Sequence, residues 1–92
     1  MKEIKIKLNQ LNFIKANIEE SIIIKKLDES IKRGPKILRN HENSCYLLLL
    51  NIREREILLD FLTNLFSNIG LMDNDEPNET GLFIEDIIDL IY

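Results

Sequence analysis

The sequence predicts a small α+β domain, in which an antiparallel sheet of three or four strands packs against three helices. Residues 3–8 alternate strictly between polar and apolar side chains, as a half-buried strand does. Residues 45–50 form a short apolar run just before a helix-start signal, which is typical of a strand covered on both faces. Two longer segments, residues 18–33 and 52–69, repeat apolar residues at helical spacing.

Length and composition fit one globular domain that spans residues 1–92. Chains of this size bury roughly 60–65% of their unfolded surface, so the core is adequate but small. Hydrophobic residues make up 45% of the chain and charged residues 30%, which is typical of folded rather than disordered proteins. The abundant Ile, Asn and Lys have AT-rich codons and indicate an AT-rich genome of a bacterium or a phage.

The same features predict a cytoplasmic protein. The single cysteine excludes an internal disulfide, which fits a reducing compartment. The residues after Met1 alternate in polarity and lack the continuous apolar core of a signal peptide. The longest apolar runs, residues 22–24 and 46–50, are far shorter than a membrane span, so we expect no membrane association.

The segment after the first strand has two interpretations. Asn9-Gln10 turns the chain in the first, so that residues 11–15 return as a further strand, although Asn-Gln is a poor two-residue turn. In the second, a loop leads into an early helix within residues 9–17. The sequence alone leaves both open.

The first long helix is predicted over residues 18–33. Asn17 and Glu20 have the spacing of a cap and its capping-box partner, and Gly34-Pro35 ends the helix. Within it, acidic residues precede basic ones by four positions, which favours the ion pairs Asp28–Lys32 and Glu29–Arg33.

The middle of the chain is predicted to return to the sheet before the longest helix. Residues 36–39 form a strand and residues 40–44 a turn that leads into the strand at 45–50. Asn51, with Glu54 three residues later, marks the start of the helix at 52–69. The polar side of this helix is narrow, so it needs packing on two sides. We therefore expect a homodimer through the helical layer.

The C-terminal part is predicted to be an acidic loop over residues 71–81 followed by a helix over residues 82–91. One face of this helix is apolar, with Leu90 among its residues, and the other presents three carboxylates, those of Glu85, Asp86 and Asp89. Carboxylates near the C-terminal end of a helix face the negative end of its dipole. A basic residue nearby would reduce this unfavourable interaction between the carboxylates and the helix dipole.

The sequence does not contain a complete set of residues for catalysis or for metal binding. His41 and Cys45 are the only residues of their kinds, and a zinc site needs three or four ligands. The loop that begins at Asp73 lacks the calcium-loop residues at its fifth, sixth and twelfth positions, which hold Pro77, Asn78 and Ile84. The three glycines lie too far apart for a phosphate-binding loop. We expect no enzymatic activity, no metal and no cofactor.

Charge is strongly segregated along the chain. Residues 1–40 contain ten Lys/Arg and five Asp/Glu, a net charge of +5. Residues 41–92 contain two Lys/Arg and eleven Asp/Glu, a net charge of −9, and no basic residue follows Arg55. Such a field is either neutralised within the fold or presented to a partner.

The acidic residues near the C-terminus are the predicted partner-binding site. They comprise seven carboxylates without a compensating base: Asp73, Asp75, Glu76, Glu79, Glu85, Asp86 and Asp89. Such a cluster attracts a basic protein surface. The predicted function is that of a non-enzymatic binding module, a small acidic inhibitor of the immunity-protein, antitoxin or anti-defence kind. It would occlude a basic site on a target protein.

A nucleic-acid-associated regulator is the alternative function. Its contact face would be the basic segment Lys25, Lys26, Lys32, Arg33, Lys36 and Arg39. This segment lacks interleaved aromatic residues, and a pI of about 5.0 is unlike that of most nucleic-acid-binding domains. The sequence therefore favours a protein partner over nucleic acid.

Overall fold

The structure is a computed structural model that describes residues 2–35 and 45–92. In these residues the chain is α+β, with four helices and one two-stranded antiparallel sheet. The elements in chain order are β1 (Lys2–Ile6), α1 (Leu8–Asn17), α2 (Ser21–Arg33), β2 (Tyr46–Leu50), α3 (Ile52–Ile69) and α4 (Glu79–Ile91). Contacts divide the chain into two compact units, a first unit that ends at Glu54 and a second unit from Arg55 to Tyr92.

The sheet of the first unit confirms two of the predicted strands. β1 runs antiparallel to β2, and Ile4 lies opposite Leu48. Because side chains alternate along a strand, one face of the sheet carries buried apolar residues, which are Ile4, Ile6, Leu48 and Leu50. On the other face, Glu3 and Lys5 are exposed. Their partners Leu49 and Leu47 are half-buried, so the second face is covered only in part.

Of the two interpretations of residues 9–17, the structure confirms the helix, because residues 11–15 belong to α1 rather than to a further strand. Leu8 also lies in this helix rather than in β1. Leu11 and Ile14 are both buried, and their separation of three residues puts them on one side of the helix. The side-chain oxygen of Gln10 accepts a hydrogen bond from the Lys7 backbone N–H at 3.0 Å and fixes the first turn.

The helix predicted over residues 18–33 begins three residues later, as α2 at Ser21. Asn17 does not cap it, because the Asn17 amide donates a hydrogen bond to the Phe13 carbonyl at 2.8 Å, at the end of α1. Ile18 is buried in extended conformation between the two helices. The C-terminal end agrees with the prediction, since Gly34 follows α2 with a φ of 81°, a region that favours glycine.

Polar side chains of α2 tie it to its neighbours in the first unit. Ser30 Oγ and an Arg33 guanidinium nitrogen both donate to the Leu47 carbonyl oxygen of β2, at 2.6 and 2.8 Å. Asp28 forms its ion pair with Lys15 of α1 at 2.5 Å. Among the described residues this pair and the Arg33 contact replace the two predicted pairs within α2. Some charged side chains of the first unit therefore join α2 to α1 and to β2.

The strand predicted at residues 36–39 and the turn at 40–44 lie outside the described residues. Lys36, Arg39 and His41 lie outside them too.

The predicted capping box at the start of α3 is confirmed. Asn51 Oδ1 accepts a hydrogen bond from the Glu54 N–H at 2.8 Å, and Glu54 Oε1 accepts one from the Asn51 N–H at 2.9 Å. Each side chain satisfies a backbone donor that the first helical turn leaves free. Glu54 is buried and Asn51 is exposed, so this reciprocal pair lies at the edge of the buried region.

The second unit consists of most of α3, a loop and α4. The backbone after α3 and the first turn of α4 lie close together at two glycines, Gly70 and Gly81. A Cβ on Gly81 would overlap the Gly70 carbonyl oxygen, and one on Gly70 would lie 2.9 Å from the Gly81 Cα. Asn78 joins the same elements, since its amide donates to the Ile69 carbonyl at 2.9 Å and its Oδ1 accepts from the Gly81 N–H at 2.7 Å. The predicted loop at residues 71–81 is three residues shorter, because Asn78 caps α4 and the helix begins at Glu79.

Replacing Gly81 by alanine tests this close approach of the two glycines. We expect Gly81→Ala to lower the free energy of unfolding by about 1–3 kcal/mol or more, since a methyl group there has no space. Urea denaturation followed by circular dichroism measures the change. Asn68→Ala, at an exposed position of α3, is the control and should leave stability nearly unchanged. Equal stability of the two variants would contradict the close approach of the glycines.

Candidate functional site

The loop between α3 and α4 is a folded turn that presents carboxylates to solvent. Its two ends meet where Leu71 pairs with Pro77 in an isolated β-bridge. The Met72 N–H donates to the Glu76 carbonyl at 2.7 Å, and the Asp75 N–H donates to the Met72 carbonyl at 2.9 Å. Asp75 has a φ of 66°, a conformation that Asp tolerates better than most residues. We name residues 71–78 the acidic loop.

The helix after the acidic loop separates its apolar and acidic residues as predicted, with one exception. Ile84, Ile87 and Ile91 are fully buried. Leu90, predicted on the apolar face, is 39% exposed instead. Glu85, Asp86 and Asp89 lie along the exposed side, and we name these three residues the acidic ridge.

All seven predicted partner-binding residues are exposed: Asp73, Asp75, Glu76, Glu79, Glu85, Asp86 and Asp89. Within the second unit, none of them forms an ion pair with Arg55. The second unit contains nine Asp/Glu and one Lys/Arg, a net charge of −8, and its single base is Arg55. The acidic surface is thus left without local neutralisation by described residues.

The helix dipole of α4 has opposite effects on the carboxylates at its two ends. Glu79 lies in the first turn, where the positive end of the helix dipole stabilises a carboxylate. Asp89 lies in the last turn, which contains no basic residue, and there the negative end of the dipole opposes it. Asp89 of the acidic ridge therefore lowers the stability of α4.

Apolar side chains surround these carboxylates. Leu82 is 53% exposed and Leu90 39%, and both lie on the solvent side of α4 beside the acidic ridge. Met72 of the acidic loop is 47% exposed. Where a partner covers such a surface, exposed apolar residues supply the apolar part of the contact.

The second unit also contains a groove between α3 and α4, of about 450 Å³. Its lining residues are Glu56, Leu59, Asp60, Thr63, Ile88 and Tyr92. The four residues from α3 recur at helical spacing, so they form one continuous side of the groove. Sequence reasoning missed this feature because it depends on bringing together residues about thirty positions apart. Its one sequence signal within α3 is the spacing of Glu56 and Asp60, which lie four residues apart and therefore share one side of a mostly apolar helix.

The basic candidates do not form a uniform face. Lys25 and Lys32 are exposed, but they line a concavity of about 710 Å³ together with Asp28 and Glu29 of the same helix. Lys26 is half-buried. Arg33 is committed to the Leu47 carbonyl, and Lys36 and Arg39 lie outside the described residues. Alternating signs along α2 reduce the attraction that it offers to a phosphate backbone.

The described residues contain no group of three His, Cys, Asp or Glu side chains arranged to hold a metal ion. None of the four helices within them has both the length and the apolar character that a bilayer crossing requires. Comparison of the chain with protein-family models, with curated protein sequences and with solved structures gives no match. The physical features of the acidic surface are therefore the basis for proposing a function.

Two conservative substitutions test the electrostatics of α4. We expect Asp89→Asn to raise the free energy of unfolding by about 0.3–1 kcal/mol, because it removes a charge that the helix dipole opposes. Glu79→Gln should lower it by a similar amount, because it removes a favourable charge. Urea denaturation at low salt measures both, and salt at about 1 M should reduce both effects. The same sign for the two variants would contradict this account.

Proposed function

We propose that the chain is a non-enzymatic protein-binding module, a small acidic inhibitor of the immunity-protein, antitoxin or anti-defence kind. It binds a basic site on a target protein and blocks it. The observation that carries the proposal is the exposure of all seven predicted carboxylates, none of which is paired with Arg55, the single base of the second unit. Their charge is available to a second molecule.

The proposed mechanism has an attractive and an occluding part. Nine acidic residues in a unit of net charge −8 create a field that increases the rate of encounter with a basic surface. Enzymes that act on nucleic acids have such basic surfaces, because they hold phosphates. After encounter, the exposed leucines and Met72 supply the apolar area that excludes water from the contact. The target's basic site is then covered.

Preorganisation of the acidic loop supports the same proposal. Its backbone hydrogen bonds and the Leu71–Pro77 bridge hold Asp73, Asp75 and Glu76 on a defined turn. A partner that binds them does not have to order a flexible segment, which lowers the entropic cost of association.

The predicted homodimer remains a prediction. It rests on the wide apolar side of the helix at 52–69, whereas contact between two copies of the second unit would bring like charges of −8 together. A monomer in sedimentation or light scattering at high concentration would exclude self-association.

The salt dependence of association tests the proposed function. The partner is isolated from the native host with the tagged chain, identified by mass spectrometry and purified, and association is followed by stopped flow. The association rate should fall by about ten- to a thousandfold as salt rises from low ionic strength to 1 M. The Debye length shrinks from about 10 Å at 0.1 M to about 3 Å at 1 M salt, which screens the attraction.

Two variants serve as controls for this experiment. A variant with all seven carboxylates replaced by amides should associate slowly at every salt concentration. Lys25→Glu/Lys32→Glu changes two exposed residues of α2 and should not slow association. A rate insensitive to salt would contradict the proposed function. Loss of DNA or RNA binding in the Lys25→Glu/Lys32→Glu variant, measured by gel shift, would instead support the nucleic-acid alternative.

A further inference from the structure

We propose that the groove between α3 and α4 receives one apolar side chain of the partner, flanked in the partner's sequence by lysines or arginines. This inference rests on the proposed function and adds to it the place and the chemistry of the anchoring contact. The groove lies entirely within the second unit, since its lining residues run from Glu56 to Tyr92.

The lining of the groove combines an apolar floor with acidic edges. Leu59 of α3 and Ile88 of α4 are half-buried, and Tyr92 beside them is 82% exposed. Glu56 and Asp60 are exposed on the α3 side. An apolar side chain that enters this space removes the floor from water, which supplies binding free energy.

The α4 side of the groove continues into the acidic ridge. Glu85 lies three residues before Ile88, and Asp89 three residues before Tyr92, so these carboxylates are helix neighbours of the lining residues. The groove therefore has carboxylates along both helices. Within the second unit, Arg55 forms no ion pair with any of them.

Charge complementarity selects the occupant. A nucleic acid is excluded by like charge, and a purely apolar segment would leave the acidic edges without cations. A second copy of the second unit carries the same negative charge, so it is a poor occupant. A basic protein segment with one apolar side chain covers the apolar floor and places cations beside the carboxylates of both helices. A volume of about 450 Å³ is in the range of small-ligand pockets and is large enough for such a side chain.

A peptide titration tests the inference. The probe is a fluorescein-labelled synthetic peptide with lysines on both sides of one central phenylalanine, and binding is followed by anisotropy at low salt. We expect binding to the chain, and at least about tenfold weaker binding when the central phenylalanine is replaced by alanine. Tyr92→Ala should also weaken binding of the phenylalanine peptide, since it opens one wall of the groove.

Matched charge variants separate the groove from the general acidity of the unit. Glu56→Gln/Asp60→Asn should weaken binding at least about tenfold, whereas Asp73→Asn/Asp75→Asn removes the same charge from the acidic loop and should weaken it less than about threefold. All four positions are exposed, so both variants should fold, which circular dichroism checks.

Each contrary outcome has a defined meaning. Equal weakening by the two double variants, or equal binding of the two peptides, would show attraction by charge alone and overturn the inference while leaving the proposed function intact. Absence of peptide binding would also overturn it, and the partner's salt-dependent association would still test the proposed function separately. Self-association of the chain that is lost in Glu56→Gln/Asp60→Asn would assign the groove to a second copy and overturn the inference.

Discussion

The close approach of Gly70 and Gly81 is the constraint on which the acidic surface depends. Nine acidic residues with one basic residue repel one another, and this repulsion favours separation of α3 from α4. The missing side chains at the two glycines let the backbones meet, and Asn78 bonds to both sides of that contact. Buried residues such as Leu62 and Ile84 contribute the apolar stabilisation that offsets the repulsion.

The segregation of charge along the sequence corresponds to a division in space. The last basic residue, Arg55, is also the first residue of the second unit. The first unit uses part of its charge internally, through the Lys15–Asp28 pair and through Arg33 on the Leu47 carbonyl. In the second unit the carboxylates have no such use among described residues, and one of them, Asp89, opposes its own helix dipole. A binding role gives a reason for tolerating this arrangement.

Much of the local structure was predictable where a single physical signal acted alone. The alternation around Ile4 predicts β1, and the Asn51–Glu54 spacing predicts the capping box that the hydrogen bonds confirm. The sequence left two interpretations open where two periodicities competed. Leu11 and Phe13 fit a strand, whereas Leu11 and Ile14 fit a helix, and burial of Ile14 decided for α1. The groove could not be predicted, because it forms only when tertiary contacts bring two helices together.

Amide chemical-shift mapping of the ¹⁵N-labelled chain with its purified partner tests the central claim most directly. That claim is that the acidic second unit is the surface that meets the partner. The account predicts the largest shifts within the acidic loop and α4, with a second set around Asp60 in α3, and small shifts over α2. Shifts concentrated on α2, with α4 unchanged, would contradict the account.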